Sequence, residues 1–173
     1  MKVGKINHIG IVVTDASEAM ERYGKLYGIK KWYKLVAGPI DLHYRGEKRN
    51  CTVDLYFGGK GKTKIELIET HGEPNIYTTF YINRGEAVHH YQYNVKDLDA
   101  AVRECEARGM RVFQYASFDS AGATVRYAYV GTSEDTGAIE LIETRVGNRF
   151  VKGDVPFEVG FIGVLTGNYK RVK

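Results

Sequence analysis

The sequence has little cysteine. Cys51 and Cys105 are its only two in 173 residues. They lie far apart with no C-x-x-C spacing, which excludes a disulfide framework and leaves two reduced, partly buried thiols of a cytosolic protein as the expectation. No apolar stretch approaches the roughly 20 residues that cross a bilayer, so no membrane partner is expected. The N-terminus does not resemble a signal peptide, because Lys2 and Lys5 precede only a short strand-like run. A concentrated basic stripe is missing too. The net charge is +4, and the densest basic group is Lys170, Arg171 and Lys173, which argues against a nucleic-acid partner. A small-molecule substrate remains. What is present is an ordinary globular balance, 43% hydrophobic and 27% charged, in a chain long enough for one domain with a real core, and an unusual 13 tyrosines.

The chain repeats itself. Residues 7–13 read NHIGIVV and residues 89–95 read HHYQYNV. Seven residues after His8 stands Asp15, and seven after His90 stands Asp97. Each Asp is placed to cap a helix, and Glu18 completes a capping box with Asp15. The first helix puts Ala19, Met20, Tyr23 and Tyr27 on one face; the second puts Leu98, Ala101, Val102 and Cys105 on one face. Gly28 and Gly109 stand where a helix end favours a left-handed residue. Strand-like runs follow at 31–36, 51–57 and 63–69, then at 111–116, 124–130 and 137–143. The last run of each half is nearly the same, KIELIET at 64–70 and AIELIET at 138–144. The expected fold class is α+β: tandem βαβββ modules forming a cupped mixed sheet with helices on its convex face. One domain spans 1–173, with modules at 5–70 and 88–144, a linker at 71–87 and a tail at 145–173, in which the run 157–165 could add a strand.

Strand parity then selects side chains. Ile9, Ile11 and Val13 should pack under the first helix, so His8 points to the opposite face. By the same rule Tyr91, Tyr93 and Val95 take the helix side and leave His90, Gln92 and Asn94 opposite. Ile65 and Leu67 leave Glu66 opposite, and Ile139 and Leu141 leave Glu140 opposite. Taken singly, each of these residues would be read as a hydrogen-bonded core His or a solvated Glu. Their recurrence in a duplicated frame points instead to one divalent metal held by His8, Glu66, His90 and Glu140. Two carboxylates neutralise a 2+ ion, and the N/O ligand set suits Co, Mn, Ni, Zn or Fe. His43 and His71 lack this support. His89, Glu69 and Glu143 have the wrong parity. Trp32 and Phe57 are expected in the core.

These residues resemble the vicinal-oxygen-chelate superfamily of glyoxalases, bleomycin-resistance proteins and ring-cleaving dioxygenases, over about residues 5–144. Within it, NHIGIVVTDASEAMERYGKLYGI and NIYTTFYINRGEAVHHYQYNV look most like the methylmalonyl-CoA epimerases, with Ala87, Tyr91 and Gln92 departing from that pattern. The resemblance implies two modules around one metal, a homodimer, and an isomerase, epimerase or lyase that works through a metal-stabilised enolate of a small oxygenated substrate such as an acyl-CoA. Glu66 and Glu140 are the candidate bases. Glu47 is a third, standing roughly where the epimerases carry a catalytic carboxylate. Tyr44, Tyr56, Gln92, Tyr127 and Tyr129 are the expected substrate-binding residues, and phenols suit a ring-bearing or polyoxygenated ligand. Lys30, Lys31, Lys34, Arg45, Lys48 and Arg49 offer a phosphate groove or, equally, solvated charge. Two other readings compete. One is an Fe(II) ring-cleaving dioxygenase using His8, His90 and Glu140 as its triad. The other is a non-catalytic binding protein, against which the full set of four ligands counts.

Overall fold

The computed structural model describes residues 5–35, 40–60, 63–152, 164–165 and 167–173. The first half runs β1 (His8–Val12), α1 (Ala16–Tyr27), β2 (Trp32–Leu35), β3 (Asp41–Tyr44), β4 (Glu47–Arg49), β5 (Cys51–Gly58) and β6 (Lys64–Gly72). The second runs β7 (Val88–Asn94), α3 (Leu98–Glu106), β8 (Arg111–Ser120), β9 (Ala123–Gly131) and β10 (Ala138–Val146), with α2 (Ile76–Arg84) between the halves. Asp15 caps α1 by accepting from the Glu18 backbone N–H at 2.9 Å, and Asp97 caps α3 by accepting from Ala100 at the same distance. Gly28 ends α1 at φ 67, a left-handed conformation that glycine adopts without strain.

One mixed sheet carries both halves. Its order is β12-β2-β5-β6-β1-β7-β10-β9-β8-β3-β4, with β11 (Arg149–Val151) paired to β10 and β12 (Tyr169–Arg171) to β2. The order 2-5-6-1 of the first half is repeated as 7-10-9-8 in the second, and β1 and β7 meet antiparallel at the centre. The outer strands β2 and β8 would be far apart in a flat sheet. Here Leu35 of β2 and Phe118 of β8 belong to one buried cluster, so the sheet curls into a cup. α1 and α3 cover the outer face over two further clusters, Ala19–Met20–Trp32–Leu67 and Leu98–Cys105–Val130–Leu141. Trp32 is fully buried there, as expected for a core residue. Phe57 is buried as well, but on the inner face.

Two elements depart from the expected modules. The segment 71–87, expected as a linker, contains α2, whose Ile76, Tyr77 and Phe80 join the inner cluster. The hairpin β3–β4 follows β2 in sequence, yet it pairs with β8 on the opposite edge of the sheet. Leu35 and Asp41 therefore stand on opposite halves of the sheet. Of the run expected at 157–165, all but the last two positions fall outside the described residues.

Candidate metal centre

The central four strands position the site. Across β6, β1, β7 and β10 one transverse row reads Glu66, Gly10, His90, Ala138. In the next row, Glu140 is the register partner of Gln92 and Lys64 that of His8. The inner face of the cup thus presents His8 and Glu140 from one row and Glu66 and His90 from the other, as strand alternation requires. All four are buried, at 3%, 5%, 4% and 0% exposure respectively.

The four side chains converge. His8 Nε2 lies 3.0 Å from His90 Nε2. It lies 3.3 Å from Glu66 Oε2 and 3.2 Å from Glu140 Oε2. His90 Nε2 stands 3.3 and 3.4 Å from the same two oxygens. An ion with bonds of about 2.1 Å holds neighbouring ligand atoms about 3 Å apart, so the spacings among His8, His90 and Glu140 fit a common cation, while Glu66 stands beside both imidazoles outside that mutually close group. Glu140 Oε2 is buried and accepts no hydrogen bond of good geometry among the described residues, which leaves a lone pair free for such an ion.

Electrostatics support the same reading. Burial opposes the charged form of Glu66, but the imidazoles of His8 and His90 prevail and hold its carboxyl below the usual range. Glu140 behaves alike, with burial overcome chiefly by His90 and then His8. For His90, burial pulls the pKa down, and Glu140 and Glu66 more than restore it, so it ends above the ordinary 6.5. Without an ion, then, the depressed carboxylates stabilise the fold above about pH 4.5, and this is lost as pH falls through their folded values. The His90 contribution is complete below pH 6.5 and is lost as pH rises through its raised value. A cation at this site would compete with the His90 proton.

Two supporting residues escaped sequence reasoning. A Cβ on Gly10 would lie 2.0 Å from His90 Cε1 and 2.5 Å from both ring nitrogens, so only glycine leaves room for this side chain. That signal was present in HIGIV. The register slips between Gly10 and Ile11, whose partners are His90 and Val88. Within this bulge His89 is buried among Tyr77, Phe80 and Tyr129, which corrects the parity assigned to it. Its Nδ1 lies 3.0 Å from His90 Nδ1. Burial holds His89 well below the ordinary imidazole range. A neutral His89 can accept the His90 Nδ1 proton and leave His90 Nε2 bare toward the cation.

The cavity above these residues is lined by Tyr127 and Tyr129, as expected, and by Tyr77 of α2, together with Phe57, Thr144 and aliphatic side chains. Burial is the main force pushing all three phenols up, so they remain O–H donors. The other expected substrate residues do not line it. Tyr56 alternates with inward-facing Leu55 and Phe57 and so packs under α1, with Lys34 over its ring. Tyr44 is buried, but its hydroxyl donates to Glu134 at 2.6 Å and lies 3.1 Å from Thr79 Oγ1. Gln92 shares the inner face and is fully buried, away from the cavity wall, with neither amide atom paired among the described residues. Glu47 is corrected as a base: it sits on the edge strand β4, 72% exposed and paired with Arg49 at 2.6 Å. A second acid–imidazole cluster, Asp54, Glu69 and His71, lies on half-exposed surface, where Lys34 already pairs with Asp54 at 2.7 Å.

A family profile described as the glyoxalase/bleomycin resistance protein/dioxygenase superfamily matches residues 7–129. The mitochondrial methylmalonyl-CoA epimerase of Dictyostelium discoideum is 28% identical over 111 residues, which cover 64% of this chain and 60% of that protein. The ethylmalonyl-CoA/methylmalonyl-CoA epimerase of Cereibacter sphaeroides is 31% identical over 111 residues, covering 64% of this chain and 75% of that one. The chain thus spans less than two thirds of the length of the mitochondrial relatives. Among solved structures, Streptomyces coelicolor methylmalonyl-CoA epimerase in complex with 2-nitronate-propionyl-CoA superposes with a TM-score of 0.55 at 20% identity, over 82% of this chain and 94% of that one. No helix among the described residues is long and apolar enough to cross a membrane.

Proposed function

The chain belongs to the glyoxalase/bleomycin resistance protein/dioxygenase superfamily, and from that premise we propose that it is a metal-dependent isomerase that removes and returns a proton beside a carbonyl group, with an acyl-CoA thioester as the substrate to test first. The observation that carries this reading is the convergence of His8, His90 and Glu140, whose ligand atoms lie within 3.4 Å of one another, with a Glu66 oxygen 3.3 Å from each imidazole, beside an apolar cavity. The relatives named above are called epimerases of methylmalonyl-CoA or ethylmalonyl-CoA, which supports both the reaction class and the thioester.

His8, Glu66, His90 and Glu140 would hold the ion, and a divalent ion there supplies Lewis-acid polarisation of a carbonyl oxygen. The chain's own residues do the rest. The apolar wall excludes water, which strengthens every charge interaction inside. His89 fixes the His90 ring through its Nδ1. Glu66 and Glu140 are the only carboxylates on the cavity wall among the described residues, so an oxygen of one of them takes the proton from carbon. For epimerisation that proton, or another, returns on the opposite face. The acidic Glu66 makes a fourth member where a two-His, one-carboxylate oxygenase triad needs only three.

The test is proton exchange. Protein loaded with Co2+ and incubated with methylmalonyl-CoA in D2O is expected to replace the α-hydrogen by deuterium, seen by NMR as loss of the α-proton signal. Removal of the ion with a chelator should stop the exchange. Exchange no faster than in buffer, together with oxygen uptake on a catechol, would overturn the isomerase reading.

A further inference from the structure

Gln92 is 0% exposed, and neither its Nε2 nor its Oε1 has a hydrogen-bond partner among the described residues. A buried amide with both ends unpaired is rare in a folded chain. Alternation along β7 puts it on the inner face with His90 and Asn94, yet it does not line the cavity. The register shows what lies beside it. Glu140 is its partner on β10. On the other side β1 runs antiparallel, with Ile9 opposite Tyr91 and the Asn7 N–H donating to the Gln92 carbonyl at 3.1 Å, which sets His8 next to Gln92. β7 stands between β1 and β10, so the His8 and Glu140 backbones are two strand spacings apart, about 9.5 Å. Their tips nonetheless meet at 3.2 Å. Both side chains therefore lean across β7 and roof Gln92 over.

Reach selects the partner. His90 and Asn94 are two residues away along the strand, about 6.8 Å. The His90 ring already has its Nδ1 at His89 and its Nε2 at the ion site. His8 turns its Nε2 to that site too. Glu140 remains. Gln and Glu side chains have equal length, and register partners on parallel strands stand one spacing apart, about 4.8 Å. Their heads thus end at one height, and a turn about the terminal torsions closes the gap. A carboxylate that gives Oε2 to an ion keeps Oε1 for a donor, and Gln92 Nε2 brings two protons. A hydrogen bond to an ionised carboxylate is stronger than one to a neutral acceptor.

We infer that Gln92 is a positioning residue for Glu140: in the ion-loaded protein its amide N–H donates to the Glu140 carboxylate and holds it as a fixed ligand. Gln92 touches neither substrate nor reacting carbon. The inference rests on the ion site of the reading above and not on its reaction.

Titration of the ion-free protein with Co2+, followed by visible absorption, is the test. Gln92→Met keeps the length of the side chain and removes the amide. It should weaken Co2+ about 10-fold or more, since loss of a ligand's support costs 10- to 100-fold. The ion-free variant should melt no lower than wild type, because an apolar chain replaces an unpaired amide. Partner choice is read from two further backgrounds. In Glu66→Ala, adding Gln92→Met should cost the same factor again, as independent sites do. In Glu140→Ala it should change Co2+ affinity by about twofold at most, because the group it supports is gone. Unchanged affinity in Gln92→Met, an equal loss in the Glu140→Ala background, or a lowered melting temperature of the ion-free variant would overturn the inference and leave the isomerase reading standing. A wild-type protein without α-proton exchange, in which this pattern of losses still holds, would sink the isomerase reading alone.

Discussion

Gly10→Ala should strip the protein of its ion while leaving the fold in place. The added Cβ cannot coexist with the His90 ring, which occupies that space. The backbone at Gly10 is held on both sides, by β6 and by β7, so the strand has no room to retreat and the imidazole must swing out. Over-packing of this kind costs about 1–3 kcal/mol, an amount a chain of this size with three buried clusters can absorb. Metal affinity should fall by about 100-fold or more, since even disturbing a ligand's supporting shell costs 10- to 100-fold. Circular dichroism and elemental analysis of the dialysed variant check both halves. A variant that keeps a full complement of ion would show that His90 is not a ligand.

The second large effect concerns the proton. Glu66→Gln and Glu140→Gln each keep the side-chain shape and an oxygen that can face the ion, but the amide cannot take a proton from carbon. A positioned base contributes about 10²- to 10⁴-fold to rate. In at least one of the two variants, α-proton exchange should therefore drop by about that factor with the ion still bound. The other variant should fall less, because it loses only a charge next to the cation. Glu47→Gln should leave exchange unchanged, since Glu47 points into solvent beside Arg49. If both ligand variants exchange within about threefold of wild type, the base lies elsewhere.

Much of this centre was legible in the sequence because strand alternation is a strict geometric rule. Once Ile9, Ile11, Leu67 and Leu141 are assigned to the helix side, His8, Glu66 and Glu140 have only one face left. The duplication supplied the rest, by repeating the His, the capping Asp and the Ile-Glu-Leu-Ile-Glu run at matching positions. The same rule, applied to Val53, Leu55 and Phe57, would have placed Tyr56 outside the cavity. What stayed hidden depends on long-range pairing. The β3–β4 hairpin carries Glu47 to the far edge because it finds its partner in β8, some seventy residues on. The bulge opposite Gly10 brings His89 inward through a one-residue slip that no local pattern announces. α2 shows only weak amphipathicity in its sequence, and its Ile76, Tyr77 and Phe80 are buried by tertiary contact inside the cup.

The four-ligand centre is tested most directly by calorimetric titration of the ion-free protein with Co2+ near pH 7, in buffers of different ionisation enthalpy. Glu140 and Glu66 raise His90 above the ordinary imidazole value, so cation entry competes with its proton. The expected result is one tight site per chain, with an apparent heat that shifts with the buffer in the sense of proton release, and neither feature in Gly10→Ala. Weak or non-saturating binding, or a site that survives unchanged in Gly10→Ala, would contradict it.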